Sequence, residues 1–110
     1  MILDDKIVEL NSDGYLKNID DWSEDIAIKI AKYENISMSI EHWHVIRLIR
    51  SFYLKYNISP TMRMLIKYIA DHQDKKLQLN SSAYLFRLFP KGILKQATRI
   101  AGIPKPNQCL

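Results

Sequence analysis

Cys109 is the single cysteine of this 110-residue sequence and stands next to last, on the stretch Gly102-Ile103-Pro104-Lys105-Pro106-Asn107-Gln108-Cys109-Leu110. A free cysteine kept for packing usually sits in a core, whereas chain ends are the least ordered part of a domain. A thiol there is a candidate nucleophile, its thiolate being the reactive form. With one cysteine there is no internal disulfide. Pro104 and Pro106 bias the stretch toward an extended form, which lowers the entropy lost on threading a pocket. Gly102 is the expected pivot after the preceding helix. The pattern predicts a thiol on a flexible arm that enters another protein's site. A nucleophile on such an arm lacks the held geometry of a self-contained active site.

The residues leading into this arm are basic. Residues 75–110 contain seven Lys and Arg and no Asp or Glu, a charge of +7, while residues 1–74 carry −3. One end of the chain is therefore built to meet anions. At helical spacing Lys91, Lys95 and Arg99 fall within an arc of roughly 80°. Leu94, Ala97 and Ala101 fall opposite, with Ile93 and Ile100 beside them. Lys105 continues the charge onto the arm. Lys91, Lys95, Arg99 and Lys105 are the candidate docking residues for an anionic partner. The competing reading is an ordinary amphipathic helix with a solvated basic face.

Other clusters are weaker. Arg47 with Arg50, and Arg63 with Lys67, can each share a helix face and bind phosphate or a partner's carboxylates, but solvation of the surface is the favoured reading of each pair. His42 and His44 stand two apart, which places their rings on different helix faces. His72 is distant, so no metal site is expected. Helix capping or packing suits these histidines better. Tyr84, Phe86 and Phe89 can stack on bases, although a core role fits them more simply. No glycine-rich phosphate loop and no hydrolase spacing is present, and no cofactor is expected.

The elements that position these residues are mostly helical. Ser23 caps a predicted helix to about Tyr33, and Ser39 a second from Ile40 to about Tyr56. The wide apolar face of the second suggests the most buried helix. Ser59-Pro60 opens a third, to about His72. Gln73 to Leu79 reads as a loop. Ser81 or Ser82 starts a short aromatic helix ended by Pro90. The last helix spans about Lys91 to Ala101, stopped by Gly102 and Pro104. Asp13-Gly14 marks a small hairpin at about 7–16. The expected fold is mainly α: an orthogonal bundle of about five short helices, with a small N-terminal β-hairpin and a flexible C-terminal arm. Residues 1–101 form one domain and 102–110 the arm. The start lacks the layout of a signal peptide and no apolar run reaches membrane-span length. A cytoplasmic protein, with its thiol kept reduced, is expected.

Nearly the whole chain resembles the DsrC/TusE family of sulfur-relay proteins. The matching residues include Asp13-Gly-Tyr-Leu16, Trp22-Ser-Glu24, Glu41-His-Trp43, Val45-Ile-Arg47, Phe52-Tyr53, Ser59-Pro60 and Arg63-Met-Leu65. They continue through Leu88-Phe-Pro-Lys-Gly92, Lys95-Gln-Ala97, Ile100-Ala-Gly102, Pro104-Lys-Pro106 and Cys109. The last group is the most specific. In the resemblance, the DsrC branch, partner of dissimilatory sulfite reductase, carries a second cysteine where this chain has Thr98. That departure points to the TusE branch. This implies a sulfurtransferase of tRNA 2-thiouridine synthesis, with Cys109 as the sulfur-carrying residue. A TusBCD-like complex is the implied donor, and an MnmA-like thiouridylase with bound tRNA the implied acceptor. The alternatives are a DsrC-like sulfite-reductase partner and a helix–turn–helix nucleic-acid-binding module. The latter leaves Cys109 unexplained.

Overall fold

The computed structural model describes residues 2–3, 6–7, 9–58, 60–72 and 82–105. Five α-helices carry the fold: α1 (Glu24–Tyr33), α2 (Ile40–Tyr56), α3 (Met62–His72), α4 (Ser82–Leu88) and α5 (Thr98–Ala101). A π-helical stretch, Ile93–Ala97, runs without a break into α5. Two short antiparallel strands, β1 (Ile2–Leu3) and β2 (Lys6–Ile7), pair Ile2 with Ile7 and Leu3 with Lys6. The predicted loop at 73–79, the Ser59 cap and the Ser81 start lie outside the described residues.

Helix starts follow local capping chemistry. Ser23 Oγ accepts the Ile26 amide of α1, and Glu24 and Asp25 occupy its positive first turn. At α2, Ser39 Oγ accepts the His42 amide, and the His42 ring accepts the Ser39 backbone N–H at Nδ1, 3.1 Å away. This is a capping box with histidine as its third member. Because Nδ1 accepts that N–H, the ring proton belongs on Nε2, which donates to Leu88 O at 2.8 Å. His42 also meets the Phe89 ring edge-on at 5.1 Å. One side chain thus ties the start of α2 to the end of α4.

His42→Ala removes half of the cap and the Leu88 bond. The expected loss is about 2 kcal/mol, combining typical cap and hydrogen-bond contributions. His42→Gln keeps the box and recovers part of it. Urea denaturation of the two variants checks this; equal stability of Ala and Gln variants would contradict it.

Two placements differ from the sequence-based expectation. The hairpin turn expected at about 7–16 is present, with Leu10 pairing antiparallel to Leu16 and Lys17 N–H bonding to Glu9 O at 3.0 Å, but its pairing is shorter than expected, a single bridge. The ladder itself lies upstream, in β1 and β2. Asn11 Oδ1 accepts the Asp13 and Tyr15 amides, at 2.9 and 3.0 Å, and so diverts these groups into an Asx-type turn. The most buried helix is the last, not α2. From Ile93 to Ala101 every residue but Lys95 and Arg99 is buried, whereas α2 exposes Leu54 and Tyr56. The small Ala97, Ala101 and Gly102 let neighbours close in, and α1 and α2 both pack on α5.

Candidate functional site

The arm leaves the bundle through a fixed root. Gly102 takes a left-handed conformation (φ 72°) and ends α5, its N–H bonding to Arg99 O. A Cβ at Gly102 would overlap the Trp22 indole and stand 2.9 Å from Leu16 Cδ1. The next residue, Ile103, is fully buried. Exposed chain begins at Pro104 and Lys105. Gly102 is therefore a locked turn, and the chain first becomes exposed two residues later than the sequence suggests. Pro106 and Cys109 lie outside the described residues.

Two side chains hold the last carbonyls of α5, which have no partner within the helix. Trp22 Nε1 donates to Ile100 O and Arg50 Nη1 to Ala101 O, each at 2.8 Å. The Arg50 guanidinium also lies 4.0 Å from the centre of the Trp22 ring. Burial pushes the Arg50 guanidinium below its ordinary value, while the Asp20 charge opposes the shift. Arginine remains charged throughout the physiological range, so it also complements the negative end of α5. Neither Trp22 nor Arg50 stood out as an arm-positioning residue in the sequence. Trp22 offered one signal, an indole N–H that needs an acceptor when buried.

Between Lys91 and Arg99 the helix takes a π-helical turn over Ile93–Ala97. Thr98 N–H bonds to Ile93 O, five residues back. The Thr98 hydroxyl donates to Leu94 O at 2.7 Å. Tyr15 OH approaches Lys95 O and Thr98 Oγ1, both at 3.2 Å. These hydroxyls satisfy carbonyls that the π geometry leaves out of the regular ladder. Gln96 and Thr98 are buried as a result, which the simple two-face reading missed.

Three of the four candidate docking cations meet carboxylates. Arg99 Nη1 lies 2.8 Å from Glu34 Oε1, and Lys91 Nζ 3.8 Å from Glu34 Oε2. Glu34 also accepts from Gln96 Nε2 at 3.3 Å. Lys105 Nζ lies 3.3 Å from Asp13 Oδ2 on the N-terminal turn. Lys95 is exposed. Arg99 is the most enclosed of the set, its guanidinium 5.4 Å from the centre of the Tyr15 ring. It serves mainly to bind α5 to α1, a structural task, while Lys91, Lys95 and Lys105 keep exposed heads.

The weaker clusters divide: some members pair or pack, while Arg63, Lys67 and Phe86 stay exposed, so the core role expected of Phe86 does not hold. Arg47 pairs with Glu24 at 3.1 Å. Arg63 and Lys67 are exposed on α3. His72 stacks on Tyr68, with ring centres 4.0 Å apart. Phe89 is buried, Tyr84 half-buried and Phe86 exposed. Among the described residues no group of three His, Cys, Asp or Glu could hold a metal ion. No helix among them is long and apolar enough to cross a membrane.

This architecture has known counterparts. The family model described as "DsrC like protein" matches residues 2–110. The chain belongs to the DsrC/TusE family. Its similar relatives include the proteins named Sulfurtransferase TusE of Escherichia coli K12, 49% identical, and of Salmonella typhimurium, 48% identical. Each comparison covers the whole chain and 99% of the relative. Among solved structures, DsrC of Allochromatium vinosum superposes with a TM-score of 0.87 at 38% identity, covering all of this chain and 96% of that one. The oxidized gamma-subunit of dissimilatory sulfite reductase (DsrC) of Archaeoglobus fulgidus gives 0.80 at 33% identity, covering 100% and 98%. In this DsrC/TusE protein Thr98 is buried, its hydroxyl bonded within the π turn.

Proposed function

We propose that this protein is a sulfurtransferase that carries sulfane sulfur as a persulfide on Cys109. It takes the sulfur from a TusBCD-like complex and passes it to an MnmA-like thiouridylase with bound tRNA, for the 2-thio group of the wobble uridine. The observation that carries this reading is the single thiol, Cys109, in a chain 49% identical along its whole length to proteins named Sulfurtransferase TusE. One sulfur can be loaded and handed on, but it cannot close on a neighbour within the chain.

Each step is thiol exchange. The Cys109 thiolate attacks the outer sulfur of the donor persulfide. A bond forms between Cys109 Sγ and that sulfur, the donor S–S bond breaks, and the donor leaves as a thiolate. The proton stays on the transferred sulfur, so Cys109–S–SH forms without an external oxidant or reductant. An acceptor thiolate then attacks the outer sulfur and releases the Cys109 thiolate. An unperturbed thiol ionises near pH ~8.5, so only a minor fraction is ready at neutrality. A pocket rich in cations on the partner would raise that fraction.

The exposed heads of Lys91, Lys95 and Lys105 support docking at the arm's base. Direct contact with tRNA is the finer alternative, and it would make affinity fall steeply with salt. A single-turnover transfer tests the function. Protein preloaded with one sulfur, about +32 Da by the persulfide step, is mixed with the thiouridylase and tRNA. The added mass should leave the protein as 2-thiouridine appears in the tRNA. Retention of the mass with no thiolated tRNA would contradict the proposal.

A further inference from the structure

An open groove of about 640 Å³ runs beside the root of the arm, lined by Trp22, Glu24 and, along α2, Arg47, Arg50, Leu54 and Lys55. Trp22 and Arg50 are the two side chains that hold Ile100 O and Ala101 O. Whatever fills the groove therefore touches the clamp that aims the arm. Leu54 is 68% exposed, an apolar side chain that the described fold leaves uncovered. Three cations face one carboxylate. That carboxylate, Glu24, is paired with Arg47, and both side chains are well exposed. Such a pair is screened by water and worth little, so Arg47 can exchange it for a partner's carboxylate at small cost.

We propose that this groove docks the sulfur donor, a protein presenting a carboxylate to Arg47 and Lys55 beside an apolar side chain that covers Leu54. This rests on the relay reading above. The groove's chemistry favours protein over nucleic acid. Phosphates gain little from covering Leu54, whereas an acidic segment with an apolar anchor satisfies both the exposed Leu54 and the cations beside it. The acceptor brings tRNA, a polyanion; the donor does not. Reach agrees with this placement. Beyond the buried Ile103, seven residues from Pro104 to Leu110 span at most ~23 Å at ~3.3 Å each. The donor persulfide must lie within that radius of the root, and a partner seated against Trp22 is already there.

The test uses Leu54→Asp and Lys55→Glu, combined in one full-length chain. Both residues are exposed, and Trp22 and Arg50 are left intact to hold the arm. Loading of Cys109 by glutathione persulfide should match the unaltered chain. Loading by a persulfide-charged TusBCD-type complex should slow at least tenfold. In a Cys109→Ser background, calorimetry should show Kd for that complex weakened at least tenfold relative to Cys109→Ser alone. An unchanged Kd would overturn the docking site, as would a loss of affinity for tRNA with none for the complex. If glutathione persulfide fails to load even the unaltered chain, the relay reading falls, while the calorimetric comparison still decides the groove.

Discussion

Cys109→Ser eliminates persulfide loading and leaves affinity for the donor within about twofold. After incubation with a persulfide donor, mass spectrometry should find about +32 Da on the unaltered protein and none on the variant. The chemistry is decisive because no other sulfur nucleophile exists in the chain; the methionines are thioethers without an ionisable S–H. A serine hydroxyl is un-ionised at neutral pH and forms no S–S bond, so the step is blocked rather than slowed. Affinity persists because docking is assigned to the folded surface beside the arm, around Trp22, Arg47 and Leu54. A serine variant that gained the same mass would place the loaded sulfur elsewhere and contradict this assignment.

Gly102→Ala has the largest expected effect on the fold. Its left-handed conformation costs an L-residue roughly 1–2 kcal/mol. The added methyl must also displace Trp22 and Leu16. Trp22 cannot retreat freely, because its Nε1 is bonded to Ile100 O and its ring lies against Arg50. Overpacking of this kind typically costs a further 1–3 kcal/mol, to a total of about 2–5 kcal/mol. For a domain of this size the melting temperature should fall by roughly 10–25 °C. The same displacement breaks the clamp on α5, so transfer from the protein donor should fall even below the new melting temperature. Loading by a small persulfide should persist there, since Cys109 itself is untouched. A melting temperature within about 2 °C of the unaltered protein would show that Gly102 is not the locked turn described here.

The parts of this fold that depend on neighbours in sequence were legible. Ser23 and Ser39 cap where a short oxygen-bearing side chain can reach an amide three residues on. Gly102 ends the last helix because glycine accepts the left-handed turn. The parts that depend on distant partners were not. A wide apolar stripe on α2 does not reveal what covers it, and small residues drew the last helix to the centre instead. The π turn answers to Tyr15, which reaches it from the N-terminal turn. The cationic arc does not reveal its partner in sequence: Glu34, just past the end of α1, pairs with two of its three members. For the site itself, Cys109 and its proline-bearing stretch were visible because rarity and position are properties of sequence. The Trp22–Arg50 clamp was not, because it joins residues far apart in the chain to two backbone carbonyls.

As proposed, Cys109 lies on the only route by which this protein delivers sulfur to tRNA. The most direct measurement is the 2-thiouridine content of tRNA in cells whose sole copy of this protein carries Cys109→Ser. The account predicts a loss as complete as in cells lacking the protein, with the variant present at normal abundance. Normal 2-thiouridine in those cells would contradict it.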